Sequence, residues 1–291
     1  MLDGWKQCWQ KELWVLVVYE GAIWGFRVIK KTAEQITVQR EFNKVIELDD
    51  ANQSSLLLEV VPKRSKIIVS LPARLVRIQS FNVDTTLRKA ERHSFIEFQV
   101  SKEQGQDSVF TQEELTSLAN QSTNQLVASA KSSQLAVFGQ LINQYKYQCI
   151  RLESTQATLA WWAVEQEPKL ASQLWGVIDL AGNSFNLLFF RQQQVLCQKS
   201  FVLDTHTEDL LIEVILQKIK LVISLLKLTE SIALFCSPLF YADFLTEGAK
   251  VNCSFHLLPD FKLERTAVSA GEETYVHYIA AALANKSNKL D

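Results

Sequence analysis

The residue types able to do chemistry are few in this chain, and they lie far apart. Asp179 ends the apolar strand-like run at the start of "WGVIDLAGNSFNLLFF" (Trp175 to Phe190), and Gly182, Asn183 and Ser184 follow as a small polar knot. A lone carboxylate at the end of a buried strand has one purely local use, which is to accept N–H bonds from the turn behind it; an Asx-type turn needs no ligand. Cys253 and His256 in "CSFH" have a metal-ligand spacing, but a zinc site needs four protein ligands, or three and a water, and no second pair lies nearby. They read as buried structural residues. His93, His206 and His277 fall on unrelated elements, and no Gly-x-Ser-x-Gly turn or Cys–His pairing offers a nucleophile. Hydrolase chemistry is not expected.

Composition narrows the classes further. Hydrophobic residues make up 47% of the 291 and charged residues 21%, enough to bury a full core and too apolar for a disordered chain. The length suits two domains of ordinary size. With 30 Lys plus Arg against 32 Asp plus Glu, a net charge of -2 provides no general field for a polyanion, so nucleic acid is not expected as a partner. Five scattered cysteines (Cys8, Cys149, Cys197, Cys236, Cys253) fit a reducing compartment better than a disulfide framework. The polar residues of "MLDGWKQCWQKELW" interrupt what a signal peptide would keep apolar, and charges break up "LLIEVILQKIKLVISLLKL" (Leu210 to Leu228). A soluble, cytoplasmic protein is expected.

Three strand-like runs open the chain, "LWVLVVYE", "AIWGFRVIKK" and "EQITVQREF", and predict an antiparallel meander. "SKIIVSLP" and "RLVRIQSFNV" read as two further strands punctuated by Pro72. From Asp84 the period becomes helical, with Leu87, Ala90, Ser94 and Phe98 on one side and Asp84 or Thr85 as N-cap. The stretch "VFTQEELTSL" is open to a strand or, with Thr111 and Glu114 at capping-box spacing, a helix, the strand being preferred; a strand "QLVASA", a helix "SSQLAVFGQLINQY", a strand "YQCIRLE" and a helix "STQATLAWWAVEQ" follow. The polar tract Glu165 to Ser172, with Pro168, reads as the inter-lobe linker. Beyond it come the Asp179 hairpin, a third strand "QQVLCQKSFVL", and a helix over roughly Thr207 to Leu228 with Thr205 and Glu208 at capping-box spacing. A strand "SIALFCS", a helix around "LFYADFLTEGA", a strand "CSFHLL", a last helix "YVHYIAAALA" and a tail "NKSNKLD" complete the pattern.

The stretch Val15 to Val28 has the same layout as Gly176 to Phe189, an apolar strand, a tight small-residue turn and a second apolar strand, with Tyr19 set against Asp179. Two lobes that each open with a meander followed by helices resemble the actin-like (ribonuclease H-like) α/β fold of sugar kinases and Hsp70-type chaperones. The order from "SKIIVSLPARLVRIQSFNVD" through "NQLVASAKSSQLAVFGQLINQYKYQCIRLESTQATLAW" is similar to the PilM family of type IV pilus assembly proteins, and within it to the MshI-like members serving mannose-sensitive haemagglutinin pili. The cytoplasmic domain of GspL is a more distant likeness. The resemblance spans about Leu13 to Ala284. It implies a first lobe over 1–164 with a small α/β subdomain inserted at about 66–150, and a second lobe over 173–291.

In that superfamily the hairpin acids and glycines hold phosphates and their metal. The resemblance therefore assigns Asp179, Gly182, Asn183, Ser184, Gly21 and Gly271 to a vestigial nucleotide cleft, with ATP or ADP and magnesium as its implied ligand. The chain departs from the pattern in two places: Tyr19 stands where the first acid is expected, and Cys236-Ser237-Pro238 replaces a Gly-Gly turn. The expectation is a protein without a cofactor or catalytic residue, acting as a scaffold. It would dock the cytoplasmic N-terminal tail of an inner-membrane pilus assembly protein, with an assembly ATPase as a further partner and membrane association through those partners. Leu71, Pro72, Leu75, Val76 and Ile78 are assigned to the docking groove. The alternative is an active ATPase or small-molecule kinase of the same superfamily. Trp5, Cys8, Trp9 and Leu13 fall on one helical face, which suits a bilayer interface or packing on the protein's own lobe. The basic "PKRSK" (Pro62 to Lys66) reads as a charged loop or a contact to anionic headgroups.

Overall fold

The computed structural model describes residues 13–19, 22–30, 36–45, 61–84, 86–115, 122–181, 184–192, 194–203, 211–236, 244–245, 251, 253–258 and 272–290. These fall into two compact units, each discontinuous in sequence: residues 1–71, 135–153 and 260–291 form one, and 72–134 and 154–259 the other. The units therefore cut across a linear division of the chain near residues 165–172. That tract lies inside the second unit, partly as a 3-10 turn (Pro168–Ser172), and its Leu170 is only 1% exposed.

The first unit holds a five-stranded sheet. β1 (Leu13–Tyr19), β2 (Ala22–Lys30) and β3 (Ile36–Val45) form the expected antiparallel meander. β4 (Lys66–Leu71) runs parallel to β1, giving with the strand Gln148–Ser154 (β8 in chain order) the sheet order β3-β2-β1-β4-β8. From Trp14 to Tyr19, β1 is buried on both faces, which is why its sequence is continuously apolar rather than alternating. The last helix, Glu272–Leu290 (α5), packs across β1 to β4 through Tyr275, Val276, Tyr278, Ile279 and a run of buried alanines. It continues through the segment expected to be a tail. Lys286 on it is buried and ion-paired with Glu153 at the end of β8.

The second unit repeats this sheet. β9 (Leu174–Ala181), β10 (Ser184–Arg191) and β11 (Gln194–Val202) form the meander; β12 (Ile232–Cys236) runs parallel to β9, and β13 (Cys253–Leu257) parallel to β12. The order β11-β10-β9-β12-β13 is that of the first sheet, element for element. One face is sealed by Ile215, Leu216, Ile219 and Val222 of helix α4 (Leu211–Leu225) against Ile178, Leu180, Phe185, Leu187 and Phe189. Helix α3 (Thr155–Gln166) packs on β9.

A small α/β subdomain belongs to this unit. Its sheet has the order β5-β7-β6, with β5 (Arg77–Asp84), β6 (Ser108–Leu115) and β7 (Ser122–Lys131) all antiparallel. Helix α1 (Lys89–Gln104) covers it; helix α2 (Ser132–Tyr145), which follows β7, belongs to the first unit from Leu135 onward. The core of the subdomain is Val83, Ile96, Val100 and Val127, with Leu87, Phe95 and Phe110 against it. The expected helical face of Ala90, Ser94 and Phe98 is corrected: all three are exposed, Phe98 at 62%. The N-cap is corrected too. Arg88 caps α1, its N–H donated to the Glu91 carboxylate at 2.7 Å, while Asp84 closes a turn before the helix by accepting the Thr86 N–H and hydroxyl, both at 2.8 Å. The Thr86 N–H, then its hydroxyl, hold the Asp84 carboxyl below its ordinary range. Gly105, with φ +97°, ends α1 in a conformation that side chains rarely adopt.

Candidate functional site

Asp179 is 1% exposed in the central strand of the second sheet. Strand alternation explains its position. Ile178 and Leu180 point into the α4 core, so Asp179 faces the other way. Its cross-strand partner on β10 is Asn186, whose partner on β11 is Ser200, so three polar residues form one row across the sheet. The Asn186 amide donates to the Asp179 carboxylate at 3.4 Å and to its backbone carbonyl at 3.5 Å, while the Asn186 Oδ1 is buried without a partner. Ser184, half-buried, begins β10 opposite Ala181. Gly182, Asn183, Gly21 and Gly271 lie outside the described residues, as do Trp5, Cys8, Trp9, Thr205, Glu208, Ser237 and Pro238.

The register of the two hairpins revises the match between them. Tyr19 pairs with Ala22 as Ala181 pairs with Ser184, each pair leaving two residues between its strands. Counting back from there, the position equivalent to Asp179 is Val17, not Tyr19; Val17 pairs with Trp24 as Asp179 pairs with Asn186. Val17 is 0% exposed, and Tyr19 stacks edge-on against Tyr275 of α5 with ring centroids 5.7 Å apart. The first hairpin therefore brings an apolar side chain where the second brings a carboxylate.

Magnesium with a nucleotide is the group that the resemblance implies, and the described residues do not fit it. A hard cation bridging phosphates calls for oxygen ligands or their waters. The repeat supplies one carboxylate, already engaged by Asn186, and a valine. Among the described residues no group of three or more His, Cys, Asp or Glu side chains converges to hold a metal.

The "CSFH" spacing does not assemble a site either. Cys253 and His256 sit on β13; the His256 ring stacks on Phe235 at 5.2 Å and its Nε2 lies 3.0 Å from the Ser254 hydroxyl. Burial pushes the Cys236 and Cys253 thiols up to about 12, where the reactive thiolate is scarce. The folded protein is thus expected to leave both unmodified by iodoacetamide at pH 8, with full alkylation only in denaturant; mass spectrometry of native-state digests reads this. The unfolded chain begins to ionise near the ordinary value of 9.0, so these two thiols favour the folded state below that pH. Their contribution disappears as the pH rises through 12.

Of the residues assigned to docking, Leu71, Pro72, Val76 and Ile78 are buried and Leu75 is half-buried. The residues that the sequence reading missed are Gln198, Gln156 and Ser80. Gln198 on β11 accepts the Ile78 N–H at 2.8 Å and donates to the Val76 carbonyl at 3.0 Å and to Gln156 Oε1 at 2.9 Å. This side chain joins β5, β11 and the start of α3. Its partners lie 120, 122 and 42 residues away in the chain, so no local pattern marks it.

No protein-family model matches the sequence, and no curated protein matches it either. Solved structures do. A structure described as the PilM-PilN type IV pilus biogenesis complex superposes with a TM-score of 0.68 at 12% identity, covering 94% of this chain and 97% of that one. A Bacteroides thetaiotaomicron protein described as having an actin-like ATPase fold and unknown function gives 0.52 at 14% identity, with 88% and 93% covered. The cytoplasmic domain of EpsL, described as an inner-membrane component of the Vibrio cholerae type II secretion system, gives 0.47 at 12% identity, with 94% and 95% covered. With two sheets of identical strand order, each a meander extended by two further strands, the chain has the actin-like ATPase fold.

Proposed function

We propose that this protein is a non-catalytic docking component of type IV pilus assembly, of the kind that serves mannose-sensitive haemagglutinin pili. In this reading it works at the cytoplasmic face of the inner membrane. There it binds the cytoplasmic N-terminal tail of a membrane-anchored assembly protein, with an assembly ATPase as a further partner, and needs no nucleotide. Among the described residues, no helix is long and apolar enough to cross a membrane; in this reading the partner carries the protein to the bilayer.

The observation that carries the proposal is the pairing of Val17 with Asp179 at equivalent places of the repeat. An ATPase or kinase built on this fold needs charge at both hairpins to handle phosphates and their metal. A valine at one of them removes half of that arrangement and leaves the scaffold. The neighbour described as a PilM-PilN complex supplies the precedent of this fold bound to a partner protein.

The experiment is a pull-down with the purified full chain. Synthetic cytoplasmic N-terminal tails of single-span type IV pilus assembly proteins are immobilised, with scrambled tails as control. One tail is expected to retain the protein at micromolar concentration; failure of every tail contradicts the proposal.

A further inference from the structure

Within the second unit two sheet edges meet without a backbone ladder. β5 is an outer strand of the three-stranded sheet and β11 an outer strand of the five-stranded one. Side chains bridge them: Gln198 reaches Ile78 and Val76, the Val195 N–H donates to the Ser80 hydroxyl at 2.9 Å, and Gln194 donates to Asn82 at 3.0 Å. Beside this seam a groove of about 1030 Å³ opens between β5, the end of α1, the end of β7 and β11.

Its lining combines two chemistries. Leu75, Leu196 and Leu226 contribute half-buried apolar surface, while Arg74, Lys131 and Lys199 are exposed and have no carboxylate partner among the described residues. The one acid that lines it, Glu103, is already taken by Arg77 at 2.7 Å and by the Gln79 amide at 2.6 Å. A concavity ringed by unpaired cations, in a chain whose net charge is -2, selects an anionic occupant.

The geometry points to an extended, acidic segment of a partner protein as the occupant of this groove. Alternate side chains of an extended peptide suit the two kinds of lining: leucine-sized groups meet the three leucines, and carboxylates meet Arg74, Lys131 and Lys199. A bilayer also carries anionic groups, but a broad flat surface does not bring them and its apolar part together into a concave groove. The inference deepens the docking reading, on which it rests for the existence of a protein partner, by naming the surface and the chemistry that selects the segment.

The test uses the full chain and a fluorescein-labelled peptide of alternating leucine and glutamate. A leucine–lysine peptide of equal length and phosphatidylglycerol vesicles serve as comparisons. The glutamate peptide is expected to bind at low ionic strength, to weaken as salt screens the rim, and to lose about tenfold in affinity with the double substitution Lys131→Gln and Lys199→Gln. Both lysines are exposed, so an unchanged melting curve is the control for folding. Equal binding of the two peptides, or wild-type affinity in the double variant, overturns the assignment. So does binding to vesicles with none to the glutamate peptide. If a pilus tail is retained equally by the wild type and the double variant, the docking reading holds and this groove is not its site. If the glutamate peptide binds and the variant weakens it while no tail is retained, the groove stands and the pilus partner does not.

Discussion

Replacing Lys286 by Met is expected to destabilise the protein by about 3 kcal/mol, read as a lowered midpoint in urea unfolding. The Lys286 Nζ lies 2.9 and 3.0 Å from the two carboxylate oxygens of Glu153, and the lysine is 2% exposed. Removing the cation leaves a poorly solvated carboxylate, for which breaking a buried pair costs roughly 3–5 kcal/mol. The lower end applies because Arg151 remains 3.3 Å from Glu153. The pair joins the last helix to the edge of the first sheet, so its loss loosens α5 over β1 to β4. Replacing both partners, Lys286→Met with Glu153→Leu, is expected to recover only part of the loss, because no carboxylate is then stranded but the half-buried Arg151 loses its partner. A single substitution costing under about 1 kcal/mol would show that the pair is no better than a surface contact.

Gly176→Ala is the second large effect, at about 2–3 kcal/mol destabilising. β9 is the middle strand of its sheet, and a Cβ at Gly176 would sit 2.8 Å from the Leu188 carbonyl oxygen, 2.9 Å from Phe189 Cδ1 and 3.0 Å from Leu234 Cδ2. The first of these is backbone of the neighbouring strand and cannot turn aside, and the other two side chains belong to a filled core. The general gain from replacing glycine in a strand, about 0.5–1 kcal/mol, is too small to offset the clash. Thermal unfolding of the two proteins side by side measures it, and a variant as stable as the parent would mean that β10 shifts more readily than its burial implies.

Much of the fold was legible because the strands are written in strongly patterned sequence. The two meanders, the helix Ser132–Tyr145 and the strand Gln148–Ser154 stand where the apolar periodicity puts them. Two readings failed for physical reasons. In α1 the large side chain of Phe98 suggested a buried stripe, but the helix starts at Lys89 and turns Phe95, Ile96 and Val100 inward instead. In the hairpins, the shared layout sets Tyr19 against Asp179, whereas hydrogen-bond register sets Val17 there; a shift of two residues keeps the same face of the sheet and so leaves no trace in the apolar pattern. Similarly, "NKSNKLD" reads as a polar tail because the partner that keeps Lys286 inside, Glu153, lies 133 residues earlier.

The candidate site was legible only as far as Asp179. Its partner Asn186 lies seven residues away and could have been found by counting around the hairpin. Gln198 could not, since a glutamine in an edge strand carries no sign of the backbone groups it will bridge.

The proposed role of this actin-like chain is to dock a partner without turning over nucleotide. Calorimetric titration of the purified full chain with ATP and with ADP in excess magnesium, followed by phosphate-release assays on the same sample, tests it most directly. No micromolar binding and no release above the buffer rate are expected. Micromolar binding accompanied by turnover would contradict it.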